Sequence, residues 1–191
     1  GRLVFVPSAG WNGPALVQDG TVRVPCLSDE GFWDVESTRL SSIASQWGAY
    51  NGGAYILGEE NCLTGTEEDV CQSPYCMVRY RQSLDRLFGG FEGINAAWGT
   101  TWTQASDMRP STLQGAQSTG TGGPWIAFRE EMDGVFGDAH GRARDVLRGI
   151  DTYARAGMRL QRNVSPWTGY DWRGLANNLD FVVAPAVPYM L

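Results

Sequence analysis

The sequence contains no lysine; all fifteen of its basic residues are arginine. The glycine-rich stretch Gly120-Thr121-Gly122-Gly123 therefore lacks the lysine of a phosphate-binding loop, and no strand leads into it. Neither a serine triad nor a dinucleotide fingerprint is present. Basic charge is scarce overall. With 21 acidic residues the net charge is -6, which gives no electrostatic attraction to nucleic acid or to an anionic membrane. No run approaches the roughly 20 apolar residues that a membrane-spanning helix needs. The first residues carry no charged-then-apolar leader. The expected compartment is secreted or periplasmic, as a mature chain, with the cytosol as the alternative. Histidine occurs once, at His140, and internal repeats are absent.

Apolar and aromatic side chains are abundant: 42% of residues are hydrophobic and eight are tryptophan. A chain of 191 residues can bury one sizeable core, so residues 1–191 are expected to form a single α/β segment. Short apolar strands are expected at residues 3–6 and 21–25. Asp34 is the expected N-cap of a helix in which Val35, Ile43, Ala44 and Trp47 share a face, with Gly48 at its end. A second helix carries Met77, Tyr80, Leu84, Leu87 and Phe88 at three- and four-residue spacing and stops at Gly89-Gly90. A shorter one over residues 91–98 stops at Gly99.

Residues 100–123 read as a long polar loop. Pro124 then opens the strongest helix, where Phe128, Met132, Val135, Phe136, Ala139, Ala143, Val146, Leu147 and Ile150 trace one stripe. His140 lies near the margin of that stripe and reads as structural or solvated. Residues 157–161 and 181–186 read as strands on either side of a short helix at 171–179. Strands alternating with helices imply parallel pairing, hence an α/β fold.

The stretch with the clearest chemistry is Ala54-Tyr55-Ile56-Leu57-Gly58-Glu59-Glu60-Asn61. A short buried strand delivers two carboxylates where it emerges, which is how α/β barrels hold catalytic groups; a plain solvated loop is the alternative. The four cysteines, Cys26, Cys62, Cys71 and Cys76, fit either two disulfides in any of three pairings or a four-thiolate metal site.

Three stretches, in order, carry a family likeness: Cys71-Gln72-Ser73-Pro74-Tyr75-Cys76, Tyr80-Arg81-Gln82-Ser83-Leu84, and Phe88-Gly89-Gly90-Phe91-Glu92-Gly93-Ile94-Asn95-Ala96-Ala97-Trp98-Gly99-Thr100-Thr101-Trp102. They resemble the glycoside hydrolase family 42 β-galactosidases and their relatives, although Ile94 stands where the family has leucine. Further likeness lies in Pro25-Cys26-Leu27-Ser28-Asp29, in Phe128-Arg129-Glu130-Glu131-Met132-Asp133, and in Tyr170-Asp171-Trp172 leading to Asp180-Phe181.

The resemblance implies a (β/α)8 TIM barrel and retaining hydrolysis by two carboxylates. It makes the strand at residues 55–57 the fourth of the barrel and Glu60 the general acid/base, whose pKa would rise if apolar walls partly enclosed it. Glu59 stands where the family has asparagine and its relatives aspartate. The nucleophile, a glutamate ending the seventh strand, would lie outside this chain. The strand before Cys26 resembles the third, so the chain matches a partial barrel of roughly strands three to six. A longer natural chain is expected, with the remainder of the barrel or another polypeptide covering the open strand edges.

Zinc-binding members of the family show cysteine-x-cysteine-proline-x-cysteine and a fourth cysteine upstream. Cys71 and Cys76 match the outer pair and Cys26 the upstream one, while Ser73 takes the middle position. Cys62 is the candidate fourth thiolate of a structural zinc, and disulfides are the alternative in an exported protein. No other cofactor is required.

For a carbohydrate substrate, Glu59, Asn61 and Asp29 are the candidate hydroxyl partners, and Asp29 also reads as a helix start. Trp102, Trp167 and Tyr189 are the candidate sugar-stacking aromatics; Trp47, Trp98 and Trp125 read as packing. The expected activity is hydrolysis of β-linked galactosides or a related polysaccharide. The alternative is a non-catalytic carbohydrate-binding or assembly protein built on the same barrel.

Overall fold

The computed structural model describes residues 16–18, 21–50, 54–162 and 164–184. The strand expected at residues 3–6 and the candidate Tyr189 lie outside the described residues.

Helix α1, Glu30–Gly48, starts two residues after a leucine-serine turn. Asp29 caps it by accepting a hydrogen bond from the Gly31 amide at 2.9 Å. The expected cap, Asp34, is inside the helix. The frame is set by Trp33, which is fully buried and donates its indole N–H to the Leu27 carbonyl at 2.8 Å. Positions two apart on a helix point about 200° from each other, so Val35 faces solvent at 72% exposure while Trp33, Glu36, Leu40 and Ala44 face inward.

Strand β3, Tyr55–Glu59, follows. Helix α2, Pro74–Phe88, has Ser73 as its N-cap, proline in its first turn and Gly89 in the left-handed conformation at its end. Its inward face is Cys76, Met77, Tyr80, Ser83 and Leu84, whereas Leu87, expected on that face, is 65% exposed. Helix α3, Phe91–Trp98, ends at Gly99 as expected. The stretch read as one long loop contains a further helix, α4, Leu113–Thr119. Thr112 caps it by accepting from the Gly115 amide, and it lacks the apolar stripe that would reveal it in the sequence.

Helix α5, Gly123–Ile150, is the spine of the molecule and packs against α1, α2, α4 and β3. Its stripe is buried through Phe128, Met132, Val135, Phe136, Ala139, Ala143 and Leu147, and runs out at Ile150. His140 lies inside the stripe with no exposed surface, its Nδ1 2.8 Å from the Phe136 carbonyl oxygen. Strand β4, Ala156–Arg159, helix α6, Trp172–Asn178, which also packs on α5, and strand β5, Phe181–Val183, complete the chain order.

β3, β4 and β5 form a three-stranded parallel sheet in chain order, with Tyr55 opposite Ala156 and Gly157 opposite Phe181. The class is therefore α/β, as expected. Gly157 is required there, since a Cβ would stand 2.4 Å from the Phe181 carbonyl oxygen. The segment expected as the preceding barrel strand behaves differently. As β2, Val22–Val24, it pairs antiparallel with β1, Leu16–Gln18, and lies outside the parallel sheet. It is held instead by the loop after β3, because the Gln72 amide donates to the Thr21 carbonyl at 2.6 Å and Arg23 reaches the Leu63 carbonyl at 2.8 Å. No helix among the described residues is long and apolar enough to cross a membrane.

Candidate active site

The carboxyl end of β3 is where the chain departs from regular geometry. Glu60 has φ 58°, the left-handed region that side chains other than glycine rarely adopt, and it is the one such residue among those described. A residue held there costs on the order of 1–3 kcal/mol, and such positions concentrate at functional sites. The Glu60 amide donates to the Arg159 carbonyl of β4 at 3.0 Å, so the backbone under the carboxylate is fixed to the neighbouring strand. The Glu60 side chain is exposed, and the described residues do not supply the enclosing apolar walls expected around it. Glu59 is exposed beside it, 3.9 Å from Arg159, the residue opposite it in the sheet.

Asn61, expected to face substrate, turns into the core. Its Nδ2 donates to the Leu57 carbonyl at 3.3 Å and lies 3.4 Å from His140 Nε2. It occupies the space over Gly58, where a Cβ would stand 2.1 Å from Asn61 Oδ1. The reversal of the backbone at Glu60 carries the next side chain under the strand it has just left. His140, within the packing around it, is held down to about 4 by burial and is therefore neutral at ordinary pH.

Tyr170 completes the clasp. Its hydroxyl donates to the Asn61 carbonyl at 2.7 Å and accepts from the Gln161 amide at 2.9 Å, joining the segments that follow β3 and β4. Two backbone bonds run beside it, Leu63 amide to Thr168 carbonyl at 2.8 Å and Thr64 amide to Trp167 carbonyl at 3.3 Å. The sequence marked Tyr170 only through the motif Tyr170-Asp171-Trp172, without a role.

The remaining candidates separate. Trp167 is buried, and both it and Trp125 direct their indole N–H groups at Asp69 Oδ1, at 3.3 and 2.7 Å. The other Asp69 oxygen accepts from the Leu113 amide at 3.1 Å. Asp69, absent from the expected set, thus organises one wall of a cleft of about 380 Å³ that Glu68, Gln72, Gln117 and Trp167 also line. Trp102 is half-buried and meets Trp98 edge-on at 5.7 Å, while both amide atoms of Asn95 clasp its backbone to α3. Asp29 is committed to capping α1, and Glu30 to a bidentate pair with Arg142.

The four cysteines are free thiols, so the disulfide expectation does not hold in this structure. Cys26, Cys71 and Cys76 bring their sulfurs within 4.8 Å of one another, with Ser73 Oγ 3.0 Å from Cys26 Sγ. Hydrogen bonds from Cys26 and Cys76 push the Cys71 thiol below its usual range. Cys62 stands apart from the cluster. The strand-end turn that buries Asn61 places Cys62 on the Glu60 side, where burial pushes its thiol up. The three thiols would supply three of the four ligands of a tetrahedral zinc, and Ser73 rather than Cys62 stands beside the trio.

Neither a protein-family model nor a curated protein matches the sequence. Solved structures do. The β-galactosidase of Rahnella sp. R3 superposes with a TM-score of 0.70 at 18% identity, over 86% of this chain and 23% of its own. A catalytic mutant of Gan42B, a GH42 β-galactosidase from G. stearothermophilus, gives 0.69 at 16% identity, over 86% and 24%. The catalytic domain of the β-amylase from Paenibacillus polymyxa gives 0.58 at 16%, over 78% and 46%. The chain spans about a quarter of the length of the β-galactosidases it matches. The family likeness carried by the sequence motifs and the likeness of the folds agree: this chain carries part of a GH42-like glycosidase fold.

Proposed function

We propose that this chain is the acid/base-bearing part of a retaining glycoside hydrolase of β-galactosidase type, acting on β-linked galactosides or a related polysaccharide. The observation that carries the reading is Glu60: a left-handed glutamate at the carboxyl end of a parallel strand, within a GH42-like fold. Its backbone is locked to β4 and clasped from below by Asn61 and Tyr170. Such a carboxyl group protonates the departing glycosidic oxygen and then takes a proton from the water that releases the sugar.

Retention requires a second carboxylate about 5 to 5.5 Å away, which lies outside the described residues. Glu59, next in the chain and exposed, accepts a hydrogen bond from a sugar hydroxyl. The partner this reading implies is the remainder of a barrel. It would cover the edge of β5, unpaired among the described residues, where Val182 and Val183 are 47% and 39% exposed, and the apolar hollow formed by Trp172, Leu175, Leu179 and Phe181. Cys26, Cys71, Cys76 and Ser73 would hold a structural zinc, which when bound cross-links the start of α2 to the segment before α1.

The test is hydrolysis of a chromogenic β-galactoside by the natural protein. Glu60→Gln is expected to lower kcat by about 100-fold or more. An unchanged rate removes Glu60 from the mechanism and favours a binding or assembly role.

A further inference from the structure

Arg23 is 2% exposed, and its three hydrogen-bond acceptors are backbone carbonyls: Leu63 at 2.8 Å, Pro25 at 2.5 Å and Cys62 at 3.3 Å. Those bonds give each guanidinium nitrogen one acceptor but leave its charge uncompensated, because no carboxylate among the described residues pairs with it. A buried charge persists when an opposite charge or a metal centre balances it. The bond to the Pro25 carbonyl sets the guanidinium one residue from Cys26, and the thiols whose charge acts on it are Cys62 first and then Cys71, Cys26 and Cys76 of the cluster. Three thiolates around a divalent zinc leave one surplus negative charge, and a fixed cation cancels it.

We propose that Arg23 is the counter-cation and positioning residue of a metal–thiolate centre formed by Cys26, Cys71 and Cys76, with Ser73 Oγ as the neighbouring oxygen. The inference rests on the zinc reading above and goes beyond it, since it assigns a role to a residue that is not a ligand. Partners of this kind change metal affinity by about 10- to 100-fold. They do so here through charge, which separates the proposal from a purely structural role for the guanidinium.

The experiment is a zinc titration of the full chain against a competing chelator, repeated with Co²⁺ to read the thiolate-to-metal absorption band. Wild type is expected to bind one ion and Cys76→Ser to lose it. Arg23→Gln, which keeps donors but no charge, is expected to bind about 10- to 100-fold more weakly with the same saturating band, because the three thiolates remain. Arg23→Lys, which keeps the charge but loses the planar fork, is expected to stay within about threefold of wild type, since the charge carries the effect on the metal.

If wild type binds no better than Cys76→Ser, the zinc reading fails and the inference with it. If wild type binds and Cys76→Ser does not, yet Arg23→Gln matches wild type, only the role of Arg23 falls. An Arg23→Lys variant as weak as Arg23→Gln also overturns it, and the lysine variant decides alone if the glutamine variant yields no soluble protein.

Discussion

Replacing Tyr170 by Phe removes one oxygen from the clasp beneath Glu60 and keeps the ring, which stacks on Phe136 with centroids 5.9 Å apart. Two groups lose their partner, the Asn61 carbonyl and the Gln161 amide, at 2.7 and 2.9 Å in the native protein. Leaving a buried backbone group unpaired costs about 1–3 kcal/mol, so with some recovery from no longer burying a hydroxyl the net loss is about 2–4 kcal/mol. For a chain of this size each kcal/mol lowers Tm by about 2–4 °C, giving a fall of about 5–15 °C.

A pH series sharpens the test. Burial pushes the Tyr170 hydroxyl up to about 12. The folded protein therefore keeps a proton that the unfolded chain releases near pH 10, and this part of the stability is complete below about pH 10 and lost as pH rises toward 12. The Phe variant has no such titration, so the stability gap between the two proteins narrows from pH 9 to pH 11. Urea unfolding at both pH values measures it, with Tyr153→Phe, at an exposed position, as the control. A loss below about 0.5 kcal/mol at pH 7, the size of an ordinary surface change, refutes the clasp.

Gly58→Ala is expected to destabilise by about 1–3 kcal/mol through overpacking, because its Cβ would collide with Asn61, whereas Gly65→Ala, with nothing within 4 Å, stays near wild type; thermal melts of the pair decide it. His140 is expected to remain neutral until the pH falls to about 4. Its contribution to stability is present above the unfolded value near 6.5 and lost as pH falls through 4, and an NMR titration of the sole imidazole showing a midpoint near 6.5 would contradict its burial. Asp69→Asn is expected to weaken the joint between Trp125 and Trp167 by about 1–3 kcal/mol, since both indole donors share the Oδ1 acceptor whose charge is removed; tryptophan fluorescence during unfolding reports it.

The parts of the fold that were legible in the sequence are those where packing repeats at helical spacing. The stripe of α5 and the glycine stops after α2 and α3 appear where the residues place them. The frame of α1 was not, since Asp29 and Asp34 are equally good caps in isolation. Only the indole bond of Trp33 to Leu27, a contact across the turn, selects the first. The antiparallel pairing of β2 depends on a partner strand and on Gln72 and Arg23 reaching distant carbonyls, which local periodicity does not encode.

The candidate site divides in the same way. That acids emerge from β3 was readable; that Glu60 turns left-handed and sends Asn61 under the strand depends on the space left by Gly58 and on Tyr170 far along the chain. Trp167 and Trp125 share a carboxylate that no motif marks, and Ser73 joins the thiol cluster because it already caps α2. The count of four cysteines alone pointed to Cys62 instead.

The most direct measurement of the central claim is the leaving-group dependence of hydrolysis by Glu60→Gln in the natural protein. A general acid is needed for a poor leaving group and dispensable for a good one. The expected result is that kcat/KM of the variant falls about 100-fold or more on an alkyl β-galactoside, while kcat/KM for a nitrophenyl galactoside, whose leaving group needs no proton, changes much less even though its turnover still loses the base of the water step. Equal losses on both substrates, or none on either, would contradict the assignment of Glu60 as the general acid/base.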